Sequence, residues 1–79
     1  MQDILASLTK IFRDVFEDQD LTLKLTDTAA DIKGWDSIKQ VEIIIAAQEE
    51  FGVKLSSREV DGLANVGDLA AAIAKRLQP

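Results

Sequence analysis

Ser37 and Asp36 are the residues whose types and position most favour chemistry. They follow Gly34, a residue typical of turns, and they precede residues 39–51, which contain neither Gly nor Pro. Aspartate and serine are both favoured at the N-cap of a helix. The sequence therefore predicts a serine hydroxyl at the N-terminus of an apolar helix, beside a carboxylate.

Two interpretations of Ser37 fit this pattern. In the first, Ser37 is the N-cap, and Gln40 completes a capping box by binding the amide of the cap residue. In the second, Asp36 is the N-cap, and Ser37 is the first helical residue with its hydroxyl in solvent. A phosphate ester on that hydroxyl would meet unpaired backbone N–H groups and the positive end of the helix dipole. The gain at an exposed site is typically a few tenths to about 1 kcal/mol.

The motif and its surroundings resemble the acyl carrier protein family. The residues that carry the likeness are Gly34-Trp35-Asp36-Ser37-Ile38, Val41-Glu42 and Glu49-Glu50-Phe51-Gly52-Val53. In this family the serine of an Asp-Ser-Leu motif carries a 4′-phosphopantetheine arm. The resemblance, which covers nearly the whole chain, implies that Ser37 is the attachment residue and that Asp36 faces the enzyme that attaches the arm.

Several positions depart from the family's usual pattern. Ile38 replaces the usual Leu after the serine, and Lys33 stands where many members have an apolar residue. Lys39 and Gln40 replace residues that are often acidic or polar in fatty-acid carriers, which suggests a specialised set of partners. Peptidyl carriers more often have Gly-Gly-His-Ser or Gly-Gly-Asp-Ser at this site, so the sequence disfavours an aminoacyl or peptidyl carrier.

The resemblance also implies partners. A phosphopantetheinyl transferase would move the arm from coenzyme A to Ser37, and acyl-activating, acyl-transferring or synthase enzymes with basic docking patches would use the loaded protein. One side of the predicted second helix is a candidate docking face, formed by Ile38, Val41, Glu42, Ile45, Gln48 and Glu49. The alternative is that Val41 and Ile45 belong to the core, because wide apolar arcs often mean burial.

Composition limits the other functions. The chain of 79 residues contains no Cys and no His, so it lacks the commonest metal ligands and the commonest general base. We therefore expect neither a metal site nor catalytic residues. The net charge of −5 disfavours nucleic acid, whose binders need a basic surface. No apolar run is long enough to span a bilayer, and we expect a cytoplasmic monomer.

The hydrophobic pattern predicts an all-α fold with one domain, residues 1–79. Helices are expected over Gln2–Phe16 and Ser37–Phe51, the second of them ended by Gly52. A short helix is expected after Ser56, whose spacing to Glu59 is that of a capping box, and a last helix after Asn65. In the first loop, residues 21–25 should lie extended with their leucines over the helices, and residues 28–31 should form a short turn. The result would be a small four-helix bundle, with three longer helices, one short helix and a long loop between the first two. The expected core is Leu5, Leu8, Phe12, Ile43, Ala47, Phe51, Leu69 and Ile73, with Val66, Ala70 and Leu77 also facing inward.

The sequence thus favours a carrier of acyl groups for fatty-acid, polyketide or related biosynthesis. The alternatives are an unmodified helical protein-interaction module, and an aminoacyl or peptidyl carrier. A carrier needs no catalytic groups of its own, because the thiol of the arm holds the substrate and partner enzymes perform the reactions.

Overall fold

Four α-helices form the part of the chain that the computed structural model describes, residues 2–77. They are α1 (Gln2–Val15), α2 (Ser37–Phe51), α3 (Ser57–Asp61) and α4 (Val66–Leu77). No strand occurs among these residues, so the predicted all-α fold with one short helix and a long first loop is confirmed. The first helix ends one residue earlier than predicted. Residues 1, 78 and 79 of the expected domain lie outside the described part, in which no helix is long and apolar enough to cross a membrane.

The core forms where α1, α2 and α4 meet. Six of the eight predicted core residues are buried: Leu8, Phe12, Ile43, Ala47, Leu69 and Ile73. The prediction was wrong for Leu5 and Phe51, which are only partly buried, and for Leu77, which is 48% exposed. Leu5 precedes the first buried residue of its helix, and Phe51 and Leu77 follow the last one, so the neighbouring elements cover each of them less.

The loop between α1 and α2 contributes to the core at two points. Leu23 and Ile32 are both 8% exposed, so the extended segment around Leu23 does cover the helices as the sequence predicts. The predicted turn at Thr28 is also confirmed, because its backbone N–H donates to the Asp31 carboxylate at 3.0 Å. The loop is therefore anchored to the bundle at Leu23 and Ile32, while most of its other residues are exposed.

The short helix α3 has the predicted capping box. The Glu59 amide donates to the Ser56 hydroxyl oxygen at 3.2 Å, and the Ser56 amide donates to the Glu59 carboxylate at 3.2 Å. The same carboxylate accepts a hydrogen bond from Arg76 near the end of α4. The hydrogen bonds from Arg76 and from the Ser56 amide lower the pKa of Glu59 below its ordinary value. Glu59 thus connects α3 to α4.

The N-terminus of α4 is joined to the first loop through backbone atoms. The amide of Gly67 donates to the Leu25 carbonyl at 2.6 Å, and the amide of Val66 donates to the Asp27 carbonyl at 2.9 Å. Asn65 caps the helix by accepting from the Asp68 amide at 2.8 Å. These contacts satisfy N–H groups that have no partner inside the helix. They also require a close approach, because a Cβ atom at Gly67 would lie 2.9 Å from the Leu25 carbonyl oxygen.

We predict that Gly67→Ala destabilises the protein by about 1–3 kcal/mol, the usual cost of forcing an extra methyl group into a packed position. Replacing a helical glycine with alanine ordinarily stabilises by about 1 kcal/mol, so the sign of the effect tests the close approach. Gly62→Ala is the control, since its Cβ would meet nothing closer than 3.6 Å. Urea unfolding measures both changes. A Gly67→Ala protein as stable as the wild type would contradict the prediction.

Candidate functional site

Asp36, and not Ser37, is the N-cap of α2. Its backbone is extended, with φ −123° and ψ −172°, and its carboxylate accepts a hydrogen bond from the Lys39 amide at 2.9 Å. Its carbonyl oxygen accepts from the Gln40 amide at 2.9 Å, which begins the helical pattern. The geometry therefore matches the second of the two interpretations of this motif.

Ser37 is consequently the first residue of α2, and it is exposed. Within residues 2–77 its hydroxyl makes no hydrogen bond, and the amides of Ser37 and Ile38 have no acceptor. The first turn of α2 contains no acidic residue. A phosphate ester on Ser37 would thus find free N–H donors, the positive end of the helix dipole and no carboxylate inside that turn. These residues fit the attachment of a phosphate-linked group.

Trp35 fixes the chain just before the cap. Its indole ring packs edge-on against Phe12 of α1, with ring centroids 5.2 Å apart. Its Nε1–H donates to Gln40 Oε1 at 2.7 Å, so Gln40 does not take part in a capping box with Ser37. Gly34, with φ 88°, makes the turn that precedes the tryptophan. The result is that Asp36 and Ser37 follow a segment anchored to two helices.

Lys39 connects the start of α2 to the end of α1. Its ammonium group donates to the Val15 carbonyl at 3.3 Å and lies 3.6 Å from the Glu42 carboxylate. Val15 is the last residue of α1, so the lysine binds a carbonyl near the helix C-terminus, where cations are favoured.

The predicted docking face lies mainly on the exposed side of α2. Ile38, Val41 and Ile45 are 69%, 56% and 51% exposed, and Glu42 and Glu49 are exposed as well. The alternative that Val41 and Ile45 belong to the core is therefore wrong, because the core side of the helix is formed by Ile43, Ile44 and Ala47.

Gln48 has a contact inside the fold that the sequence did not indicate. Its Oε1 accepts a hydrogen bond from the Leu55 amide at 2.8 Å, and the side chain is only partly exposed. The contact lies where α2 ends at Gly52, whose φ of 65° gives the predicted left-handed stop. Gln48 therefore holds the segment after α2 against the helix.

A cleft of about 380 Å³ opens beside Ser37. It lies between the start of α2, the first loop and the segment that leads into α4. Its lining is mixed: the apolar members are Ala29, Trp35, Leu63, Ala64 and Leu69, and the polar members are Asp36, Ser37, Gln40 and Asn65. The serine hydroxyl is therefore at the edge of a space that can receive part of a bound chain.

Comparisons with known proteins identify the family. The family model for the phosphopantetheine attachment site matches residues 6–73. The acyl carrier protein of Acidothermus cellulolyticus is 33% identical over 73 residues, which cover 92% of this chain and 87% of that protein. A meromycolate extension acyl carrier protein of Mycolicibacterium aurum is 31% identical over 74 residues, covering 94% of this chain and 76% of that protein.

A solved structure agrees with these relatives. The solution structure of a holo acyl carrier protein from Geobacter metallireducens superposes with a TM-score of 0.86 and 38% identity, covering 94% of this chain and 85% of that one. The chain therefore belongs to the acyl carrier protein family, and its cofactor is 4′-phosphopantetheine. Members of this family are carriers and not catalysts, and they work with phosphopantetheinyl transferases and biosynthetic enzymes.

The sequence did not reveal the contact between Trp35 and Gln40 or the position of Asn65 in the cleft. The contact between Trp35 and Gln40 depends on the packing of the indole against α1, and no local motif encodes it. Asn65 was predicted to open α4, but its place in the cleft depends on the path of the preceding segment. One feature of the sequence could have indicated the contact of Trp35: a partly buried tryptophan usually needs an acceptor for its indole N–H.

We predict that removing the cap and removing the hydroxyl have different effects on stability. Asp36→Ala should cost about 1 kcal/mol, because the Lys39 amide loses its acceptor. Ser37→Ala should change the free energy of unfolding by less than about 0.5 kcal/mol, as expected for an exposed side chain without partners. Chemical denaturation measures both values. A larger loss for Ser37→Ala than for Asp36→Ala would show that the serine is the cap.

Proposed function

We propose that Ser37 carries the 4′-phosphopantetheine arm and that the chain, as a single carrier domain over residues 1–79, holds acyl groups on it as thioesters. The observation that carries this proposal is the division of roles at the start of α2. Asp36 caps the helix, which leaves the Ser37 hydroxyl exposed and without a hydrogen bond inside residues 2–77. A hydroxyl engaged in capping would have one of its two lone pairs occupied by a backbone amide.

Attachment of the arm requires an outside enzyme. The Ser37 oxygen forms a bond to the phosphorus that bears the pantetheine, the phosphorus–oxygen bond within the coenzyme A diphosphate breaks, and the remainder of coenzyme A leaves on that oxygen. The serine proton passes to a base of the phosphopantetheinyl transferase, because this chain contains no histidine and a serine hydroxyl alone is a weak nucleophile. We propose that Asp36, which is exposed next to Ser37, faces the cationic site of the transferase.

The exposed side of α2 is the proposed docking face for the transferase and for acyl-handling enzymes. Its apolar strip, Ile38, Val41 and Ile45, supplies contact area, and Glu42 and Glu49 at the edge attract basic patches. Gln48 is predicted to belong to this face as well. The Leu55 contact keeps its oxygen occupied, so the amide N–H₂ is what Gln48 can offer to a partner.

We further propose that the partners are enzymes of fatty-acid, polyketide or related acyl-chain biosynthesis in the cytoplasm, with the carrier acting as a monomer. Support comes from the names of the relatives, which include acyl carrier proteins and a meromycolate extension acyl carrier protein. The unusual Lys39 supports a specialised partner set, because a cation occupies the first half of α2 where fatty-acid carriers more often have acidic or polar residues.

Incubation with coenzyme A and a broad-specificity phosphopantetheinyl transferase tests the function directly. The intact mass of the wild type should increase by one phosphopantetheine, and Ser37→Ala should abolish the increase while the protein stays folded. Ser56→Ala and Ser57→Ala are matched controls on another exposed helix start, and both should load like the wild type. A wild type without added mass would support the unmodified interaction module, and loading of Ser37→Ala would refute the site.

The docking face gives a second prediction. Glu42→Lys combined with Glu49→Lys should slow loading, most strongly at low salt, because edge charges mainly set the association rate. Asp20→Lys combined with Asp61→Lys is the control, since it makes the same change in net charge at exposed positions outside α2. Equal slowing by the two double variants would show that only net charge matters.

Val41→Asp separates contact area from charge steering. Because Val41 is 56% exposed, the substitution should lower stability by no more than about 1 kcal/mol, mostly through loss of the apolar contacts of its covered part. It should nevertheless weaken docking at every salt concentration, because it places a charge in the centre of the apolar strip. Loading rates and thermal unfolding measure the two effects. A folded variant that loads at the wild-type rate at all salt concentrations would contradict the proposed face.

A further inference from the structure

A groove of about 350 Å³ lies between α1 and α2, and it shares no lining residue with the cleft beside Ser37. Its floor is apolar, with Ile11 and Val15 from α1 and Ala46 from α2. Ile11 is 7% exposed, while Val15 and Ala46 are partly exposed. Because the side chain of Ala46 is a single methyl group, apolar surface between the two helices is left open to solvent.

The groove and Ser37 lie on different sides of α2. At about 100° per residue, the nine positions from Ser37 to Ala46 place these residues about 180° apart around the helix. Val41, in the centre of the apolar strip of the proposed docking face, is about 140° from Ala46 on the same basis. A molecule bound in the groove would therefore leave the serine accessible.

Three carboxylates border the groove. Asp14 comes from α1, Glu49 and Glu50 come from α2, and all three are exposed. The lining contains no Lys or Arg. The ion pairs within residues 2–77 join other residues, so no cation of this part of the chain neutralises the three acids. Like charges around a narrow groove repel one another, and this favours a cation supplied from outside.

The apolar floor determines which kind of cation fits. Among residues 2–77 no three acidic side chains are grouped closely enough to hold a metal ion, and a hydrated ion would leave the floor uncovered. Lys and Arg side chains suit both parts of the groove, because their aliphatic stems pack on apolar surface while their charged ends reach a carboxylate. A helix can place such side chains along both edges of a groove, with an apolar residue between them.

We propose that the groove between α1 and α2 is a second docking surface, which binds a basic amphipathic helix of a partner protein. An apolar residue of that helix packs on Ile11 and Ala46, and its Lys or Arg side chains pair with Asp14 and Glu50. The surface is small, so the complex is transient. This inference goes beyond the proposed function and does not require that Ser37 be loaded, so the unmodified protein is used to test it.

Titration of the ¹⁵N-labelled protein with a synthetic helical peptide tests the surface. The peptide consists of Leu, Ala and Arg, with Leu in one stripe and Arg along both edges of the stripe. A control peptide has the same composition, but its Leu residues are dispersed around the helix. Amide shifts should centre on Ile11, Asp14 and Ala46, and the control peptide should bind at least about tenfold more weakly, because it loses the apolar contact with the floor.

Three results of this titration would overturn the proposal. Shifts centred on Val41 would assign the peptide to the docking face and not to the groove. Equal binding of the two peptides would show that only net charge matters. Binding of neither peptide would show that the groove does not recognise a basic amphipathic helix.

Ala46→Lys blocks the groove with a cation and should weaken binding of the peptide at least about tenfold, because like charges in an interface repel strongly. Ala71→Lys is the matched control, since it makes the same change at an exposed position of α4, and it should change the affinity by less than about twofold. Val41→Lys makes the same change in charge on the apolar strip. A loss for Ala71→Lys or Val41→Lys as large as that for Ala46→Lys would overturn the proposal.

A second set of variants keeps the test open if circular dichroism shows that Ala46→Lys is unfolded. Asp14→Asn combined with Glu50→Gln should weaken binding of the peptide about fivefold, as expected for the loss of two exposed ion pairs. Asp20→Asn combined with Glu17→Gln makes the same changes at exposed residues that do not line the groove, and it should change the affinity by less than about twofold. Equal losses for the two double variants would overturn the proposal.

Discussion

The hydrogen bond from the Lys39 amide to the Asp36 carboxylate, at 2.9 Å, is the contact on which the rest of the site depends. It decides that α2 begins at Ser37, and it therefore decides that the serine hydroxyl is free. Had the serine been the cap, one lone pair of its oxygen would be held by a backbone amide. Because Asp36 caps the helix, the Ser37 hydroxyl is available and the N-terminus of α2 is still capped.

The cap can have this role because the chain that precedes it is held in place. Trp35 packs on Phe12 of α1 and donates to Gln40 of α2, so the residue before Asp36 contacts both long helices of the first half. On the far side, the first loop is bonded to the start of α4 through Leu25 and Gly67. The cleft lies between these two attachments, and its shape therefore depends on contacts between segments distant in sequence.

Features encoded by neighbouring residues could be predicted from the sequence. The bounds of α2, the capping box of α3 and the left-handed stop at Gly52 were all predicted correctly, because each depends on residues within one turn. The cap of α2 could not be decided, since Asp36 and Ser37 are both good cap residues and local preference does not separate them. The hydrogen bond between Trp35 and Gln40 could not be predicted either, because packing against α1 determines the position of Trp35.

The wide apolar arc of α2 shows the same limit. The periodicity of α2 indicated more apolar residues than the core could bury, but it did not show which of them would be exposed. The positions of α1 and α4 decide this, and they leave Ile38, Val41 and Ile45 exposed. Helix ends were also misjudged, as at Leu77, because a helical wheel does not show where the neighbouring helices stop.

The most direct test of the central claim is to locate the arm on the loaded protein. Trypsin cleavage after Lys33 and Lys39 releases residues 34–39, in which Ser37 is the only hydroxyl-bearing side chain. Tandem mass spectrometry should find one phosphopantetheine on this peptide, and finding it on any other peptide would contradict the account.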